Sequence, residues 1–408
     1  MIKDELQRLR ELIQLSTDLA EVKDLDVLME RLLQSARKFV NCDAGSIYIK
    51  EGDFLKFSYT QNDTQQARLK TGQKLIYNTF SVPINNLSIS GYVALTGETL
   101  NIPDAYKLSS SVPFSHDKSY DESARYRTLS ILTIPLKKRD NQIIGVLQLI
   151  NAMDGDNNVI AFDPEMEPYV NYFASSATGA LERAQLMRAI LLRMISMAEL
   201  RDPKETANHV NRVGACAVEI FEAWAKMKKY KQADIDKQKD VLRMAAMLHD
   251  VGKIAISDII LKKPGRLDTD EFETMKLHTI YGARLFRNPY SEFEEAARVV
   301  ALNHHERFDG TGYPGHVDPF TGEAIHGNIQ NGKLAPKKGE EIPLFGRIVA
   351  VSDVFDALSS QRCYKEAWTE EHVCALIRQE KGKHFDPEIV DSFFASLPNI
   401  RSVYKRYE

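Results

Sequence analysis

The sequence predicts a multidomain chain: an α+β domain, an antiparallel sheet flanked by helices, joined by a long helix to an all-α domain. Three observations predict it. Apolar residues alternate with period two at 46–50, 54–59, 131–136 and 143–150; a stripe with helical spacing runs from Met166 to about Leu200; and beyond Asp202-Pro203 the periodicity stays helical. The 408 residues accommodate two or three domains at ~100–200 residues each.

Taken in order, residues 5–40 read as two amphipathic helices around Asp24–Asp26, with Leu6, Leu9, Leu12 and Ile13 on the first and Leu28, Leu32 and Leu33 on the second. Glu51-Gly52-Asp53 is a hairpin turn between the first two strands, and the polar run 137–141 links the second pair. Residues 85–128 between the pairs are rich in Ser, Asn and Asp. In the long helix, Leu181, Ala184, Met187, Leu191, Met194 and Ala198 form a stripe suited to a parallel contact between two protomers, so a homodimer is expected. Further helices are expected at 205–229, 234–249, 270–288, 291–306 and 344–361, with a final pair beyond 369. There is no internal repeat and no low-complexity tract.

Composition narrows the function classes. With 53 Lys+Arg against 57 Asp+Glu the formal charge is -4, which gives no basic excess for bulk nucleic-acid or membrane-surface binding. The four cysteines, at 42, 216, 363 and 374, form no CxxC pair and point to reduced thiols. The charged, amphipathic start MIKDELQRLRELIQLSTDLAEV has neither a signal-peptide core nor an apolar run near the ~20 residues that span a bilayer, so a cytoplasmic location is expected.

The chemistry concentrates in the second half. His249-Asp250, His278, His304-His305 and Asp353 are separated by helical segments, and four of the chain's ten histidines fall between 249 and 305. Imidazoles and carboxylates together are the ligands that iron, manganese and zinc prefer in hydrolytic centres. A lone histidine on an apolar face is ordinarily a satisfied core residue; HHE followed by DGTGYPG is not a lone histidine. Glu205 and His209, at i and i+4, share one helix face. His249-Asp250 ends the apolar helix VLRMAAMLHD, and the Val-Gly-Lys that follows is expected to let the backbone bend.

Two resemblances follow from these motifs. GYVALTGETLNIPDAY, YRTLSILTIPL and IIGVLQLINA resemble a GAF domain, a small-molecule sensor module, over about 25–185. Nucleotide-binding GAF domains carry Asn-Lys, a Phe, and Asp-Glu; here Asn151, Phe162 and Glu167 match while Ala152 and Met166 replace the Lys and Asp. Both partners of a charged pair are thus missing together, a swap that can be energetically neutral. An unidentified small GAF ligand and a ligand-free dimerisation module both remain open.

The blocks ANHVNRV, LHDVGKIAISDIIL, KLHTIYG, NHHERFDGTGYPG, RIVAVSDVFDAL and GKHFDPEIVD resemble the HD superfamily of metal-dependent phosphohydrolases, and HHERFDGTGYPG its HD-GYP subfamily of cyclic dinucleotide phosphodiesterases. The resemblance implies metal ligation by Glu205, His209, His249, Asp250, His278, His304, His305 and Asp353, holding two or three divalent metals, iron (Fe2+) or manganese, with Glu205 marking the three-metal version. It implies catalytic roles for Asp250 and Lys253, and substrate contacts from Arg212, Tyr313, Pro314, Arg362 and Lys365, where a guanidinium suits bidentate phosphate contact. The implied reaction is hydrolysis of cyclic di-GMP to pGpG and on to GMP under GAF control; a cyclic GMP-AMP or other nucleotide substrate, or a receptor that binds without turnover, is the alternative. The domains expected are an N-terminal helix at 1–24, GAF at 25–185, a connecting helix at 180–201 and HD-GYP at 202–408. Residues 316–338 depart from the family as an insertion, expected as a hairpin or lid, with His316 and His326 on its surface.

Overall fold

The computed structural model describes residues 2–69, 75, 80–199, 207–330, 332–360 and 368–407. They form two units, Met1–Arg188 and Ala189–Glu408.

In the first unit α1 (Ile2–Glu21) is followed by α2 (Leu25–Val40), whose N-terminus is capped by Asp24: its carboxylate accepts from the N–H groups of Asp26 and Val27, each at 3.0 Å. Asn41, with a φ of 50°, turns the chain into β1 (Cys42–Glu51). The expected hairpin to β2 (Phe54–Asn62) pivots on Gly52 at φ +60°. Then come α3 (Asp63–Gln66), β3 (Ser81–Pro83), α4 (Ile89–Thr96), β4 (Leu100–Ile102), α5 (Ser119–Ala124), β5 (Ile131–Lys137), β6 (Ile143–Met153) and β7 (Val159–Ile160). The strand order is β3-β2-β1-β6-β5-β4, with β7 on β6 and every pairing antiparallel. β3, β4 and β7 are too short to show an alternating pattern, which is why only four strands are visible in the sequence.

One face of the sheet is covered by helices: Leu12 and Leu19 of α1, Leu28, Leu32 and Leu33 of α2 and Phe173, Ala177 and Leu181 of α6 (Glu167–Glu199) pack with Ile47, Leu132, Leu147 and Leu149. Ala152 and Met166 join this apolar cluster, so the position of the missing charged pair is filled by apolar packing. Asn151 is buried and ties the sheet to the loop before β5: its amide donates to Tyr126 Oη (2.9 Å) and Arg127 O (2.8 Å) and its oxygen accepts from Leu129 N (2.7 Å). The long helix is continuous, but Leu181 and Ala184 of its expected seam are buried in this unit's own core, while Leu186 is exposed.

The second unit is helical: α7 (Ala207–Met227), α8 (Gln232–Met247), α9 (Asp258–Leu261), α10 (Thr269–Lys276), α11 (His278–Leu285), α12 (Glu292–Asn303), α13 (Leu344–Ser359), α14 (Glu370–Gln379) and α15 (Pro387–Arg406). The helix expected at 270–288 is two. Asp268 opens α10 with a capping box, and side chains take carbonyls at its end, His278 Nδ1 donating to Met275 O (2.6 Å) and Thr279 Oγ1 to Lys276 O (2.9 Å). Between α12 and α13 the hairpin β8 (Ile329–Gln330) and β9 (Lys333–Leu334) forms inside the insertion.

Among the described residues Cys42, Cys216 and Cys374 are buried free thiols, and no helix is long and apolar enough to cross a membrane.

Candidate metal centre

Helix ends supply most of the site. His209 lies in the first turn of α7, His249 and Asp250 in the turn between α8 and the 3-10 helix Val251–Ala255, His278 at the start of α11, His304 and His305 just past α12, and Asp353 within α13. The expectation that His249-Asp250 closes a helix is corrected: α8 ends at Met247, and the pair stands in the following turn. Gly252 does not bend the chain through a positive φ. It permits close approach, since a Cβ there would lie 1.9 Å from His278 O and 2.3 Å from Gly282 N, so only glycine lets this turn touch α11.

The seven side chains fall into two groups whose ligand atoms lie within 4.8 Å of one another: Asp250, His278, His304 and His305; and His209, His249 and Asp353. Four imidazoles have their tautomer set by the protein. Nδ1 of His249 faces Ala246 O (2.9 Å), that of His278 faces Met275 O (2.6 Å), that of His304 faces Val300 O and Ala301 O (both 3.1 Å), and that of His209 faces an Asp356 carboxylate oxygen (2.7 Å). These oxygens only accept, so each Nδ1 carries the proton and each Nε2 presents its lone pair inward.

Asp250 joins the groups. Its Oδ1 lies 3.1 Å from His278 Nε2 and 3.5 Å from His304 Nε2, while its Oδ2 lies 3.3 Å from His249 Nε2 and 2.7 Å from Lys253 Nζ. Asp353 Oδ1 lies 3.7 Å from His209 Nε2 and 3.8 Å from His249 Nε2. Asp250 Oδ1 and the Nε2 atoms of His278 and His304 are buried and, despite these short separations, make no hydrogen bond of acceptable geometry. Buried lone pairs converging without protons between them suit a cation, and the nitrogen and carboxylate donor set suits a divalent transition metal.

The electrostatics agree. Burial pushes the Asp250 carboxyl up, but Lys253 and the imidazoles of His249 and His278 outweigh it and hold the group well below the usual range. Burial lowers His304, and burial with the adjacent His304 and His278 lowers His305 further, so both rings are neutral and able to donate a lone pair.

The residue that sequence reasoning missed is Asp356. Buried one turn beyond Asp353, it accepts from His209 Nδ1, from Arg212 Nε (2.6 Å) and Nη2 (3.1 Å), and from Tyr404 Oη (2.6 Å). Burial raises its pKa, but His209 and Arg212 pull it down to about 2. Arg212 also donates to Ser360 Oγ (2.9 Å), so its guanidinium faces Asp356 and Ser360 rather than standing free for a phosphate. The i, i+3 spacing of the two aspartates in DVFD was the available signal.

Lys253 stands at the rim on Asp250. Tyr313 packs its ring 4.9 Å from His305 and 6.5 Å from His278, and Pro314 follows it. Gly312 is required there because a Cβ would lie 2.2 Å from Arg307 N. Glu306 Oε1 accepts from Gly315 N (2.7 Å), and Lys337, a buried lysine at the end of the insertion, donates to Asn303 Oδ1 (2.6 Å). Both ends of the insertion are therefore tied to the end of α12. His316 lies 3.7 Å from Glu341 and belongs to neither ligand group; the side chain of His326 lies outside the described residues. So do Glu205, Arg362 and Lys365.

The GAF domain family model matches residues 24–181, and the HD domain family model matches residues 206–358. The chain thus carries a GAF domain followed by an HD domain. A probable cyclic di-GMP phosphodiesterase of Vibrio cholerae is 34% identical over 56% of this chain and 48% of its own length. The cyclic di-GMP phosphodiesterase response regulator RpfG of Xanthomonas campestris is 42% identical over 40% of this chain and 38% of its own. The 3'3'-cGAMP-specific phosphodiesterase 2 of Vibrio cholerae is 32% identical over 50% of this chain and 34% of its own. The chain spans half or less of the length of these relatives.

Proposed function

We propose that this chain is a metal-dependent phosphodiesterase that hydrolyses cyclic di-GMP to pGpG and onward to GMP, with its GAF domain in control. One observation carries the reading: protein oxygens orient four buried imidazoles so that their Nε2 atoms converge on Asp250 and Asp353. Asp250, His278, His304 and His305 would hold one divalent metal, and His209, His249 and Asp353 a second, with Asp250 shared through its two oxygens; a third would require Glu205. Iron or manganese suits this imidazole and carboxylate set. Such metals, when bound, lower the pKa of water and stabilise charge on phosphoryl oxygens.

The chain's own groups do the rest. Asp250 stays ionised between the two groups, and Lys253, 2.7 Å from its Oδ2, sets an ammonium where it can meet a phosphate or a leaving oxygen. Asp356 keeps the His209 ring turned inward, and Arg212 acts through Asp356 as a positioning residue. Arg362 and Lys365 are the proposed phosphate contacts, and Tyr313 and Pro314 wall the pocket.

We also propose the domain limits 25–185 and 202–408, the connecting helix 180–201, a small GAF ligand, a cytoplasmic location and a homodimer. Leu6, Leu9 and Ile13 on one stripe of α1, together with Leu186, are exposed and support the dimer.

The test is anaerobic turnover of cyclic di-GMP by protein loaded with ferrous iron or manganese, with metal counted per chain and Asp250→Ala as control. Metal-dependent product lost in the variant supports the reading. Full metal occupancy with tight binding and no product points to a receptor. The similarity to a cGAMP-specific enzyme puts 3'3'-cGAMP in the same panel.

A further inference from the structure

We infer that Phe272 is a base-stacking, substrate-binding residue of this site, and that it stands at the outer end of an aromatic path leading from the candidate metal ligands to solvent. The inference rests on the proposed cyclic dinucleotide substrate and names what stacks on its bases.

The path is continuous. The His304 and His305 rings are 4.1 Å apart, Tyr313 is 4.9 Å from His305, and Phe272, on α10, is 6.2 Å from Tyr313 with the ring planes at 82°. Its inner members are inside the site, where burial pushes the Tyr313 phenol well above its ordinary value. Phe272 is not inside: 44% of its surface is exposed, and its ring contacts on the page are Tyr313 and the Lys276 ammonium. Phe272 meets Tyr313 edge to face rather than ring on ring, and its exposed surface is what a flat partner could reach.

Lys276, one turn further along α10, fixes this outer pair. Its Nζ lies 4.9 Å from the Phe272 centroid and 5.5 Å from that of Tyr313, and it is held by Glu273 Oε1 at 2.6 Å. The rings are thus placed in advance, which lowers the ordering cost of stacking. A cyclic dinucleotide presents a phosphodiester flanked by planar bases. With the phosphodiester at Asp250 and Lys253, a base has Tyr313 and then Phe272 as the aromatic surfaces next to the candidate ligands. Stacking tolerates any base, so Phe272 adds affinity for the base that flanks the phosphodiester.

Phe272→Ala, Phe272→Leu and Phe272→Trp, each in the full chain, test this against wild type with cyclic di-GMP, metal content being measured alongside. Stacking is equally present in ground and transition states, so it acts on KM and not on kcat. Both Ala and Leu are expected to raise KM roughly 10-fold, within the range for loss of one stacked base, with kcat within about twofold and metal content unchanged; Trp keeps the wild-type KM. Leu retains apolar packing on Tyr313 but has no ring face. A Leu variant with wild-type KM, or losses confined to kcat and metal content, overturns the inference. If wild type itself turns over no cyclic dinucleotide, the proposed function falls and takes this inference with it; if wild type is active and no variant changes KM, only this inference falls.

Discussion

Replacing Asp356 by Asn keeps the shape of the side chain and removes only its charge. Every partner of the carboxylate is a donor: His209 Nδ1, Arg212 Nε and Nη2, Tyr404 Oη and Ser360 Oγ. An amide turns one acceptor into an NH2, so it faces a donor whichever way it is flipped, and the half-buried Arg212 guanidinium loses its counter-charge. The depression of the Asp356 pKa from 3.8 to about 2 corresponds to roughly 2 kcal/mol favouring the charged form. Breaking a fully buried pair from one side costs about 3–5 kcal/mol because the remaining charge is stranded, and with Arg212 half-buried the lower end applies. The sign is that of a depressed acid: the stabilisation is present above the unfolded pKa and fades only as pH falls toward 2, so a measurement at neutral pH sees it in full. Both tryptophans, Trp224 and Trp368, lie in the second unit, so tryptophan fluorescence reports its unfolding. For a unit of this size the expected fall in Tm of the metal-free protein is roughly 10 °C. Metal affinity should fall about 10- to 100-fold, since the His209 ring loses the acceptor that fixes its tautomer. An Asn variant with wild-type Tm and wild-type metal affinity would refute this account of the network.

The parts legible in the sequence were those whose signal is local. Alternation over several residues revealed β1, β2, β5 and β6, and helical spacing revealed the long helix; β3, β4 and β7 are too short to carry a period. The side chains now grouped around Asp250 could be picked out because their chemistry is uncommon and sits in ordered motifs. Asp356 was passed over because an aspartate one turn after another on a helix is ordinary, and only its burial against His209 and Arg212, more than a hundred residues earlier, gives it a role. The close approach at Gly252 was not legible, because a contact between two separated segments cannot be read from either one. Lys337 was taken with the rest of a surface insertion, and nothing local distinguishes a lysine that will be buried against Asn303.

Gly252→Ala places a Cβ 1.9 Å from the His278 carbonyl oxygen; backbone cannot yield as a side chain can, so the second unit should lose several kcal/mol, at least the ~3 at the upper end of overpacking costs, and a fluorescence melt within 2 °C of wild type would sink the argument. Asp250→Asn removes the charge shared by the two ligand groups, so metal analysis should find both sites weakened together rather than one alone. Lys337→Met is the more discriminating change. Burial already pushes this ammonium below its ordinary pKa, and its hydrogen bond to Asn303 is what holds the returning end of the insertion against α12. Met replaces the aliphatic stem but donates nothing, leaving Asn303 Oδ1 without that donor at a cost of about 1–3 kcal/mol. If the insertion is a buttress and not a free lid, hydrogen exchange should accelerate at Ala335 N, which donates to Asn328 O, and at His316 N, which donates to Ala335 O, while the amides of α7 and α8 stay protected. Unchanged exchange at 316 and 335 would mean that the strand hairpin and Val317, buried beside Leu302, hold the insertion without Lys337.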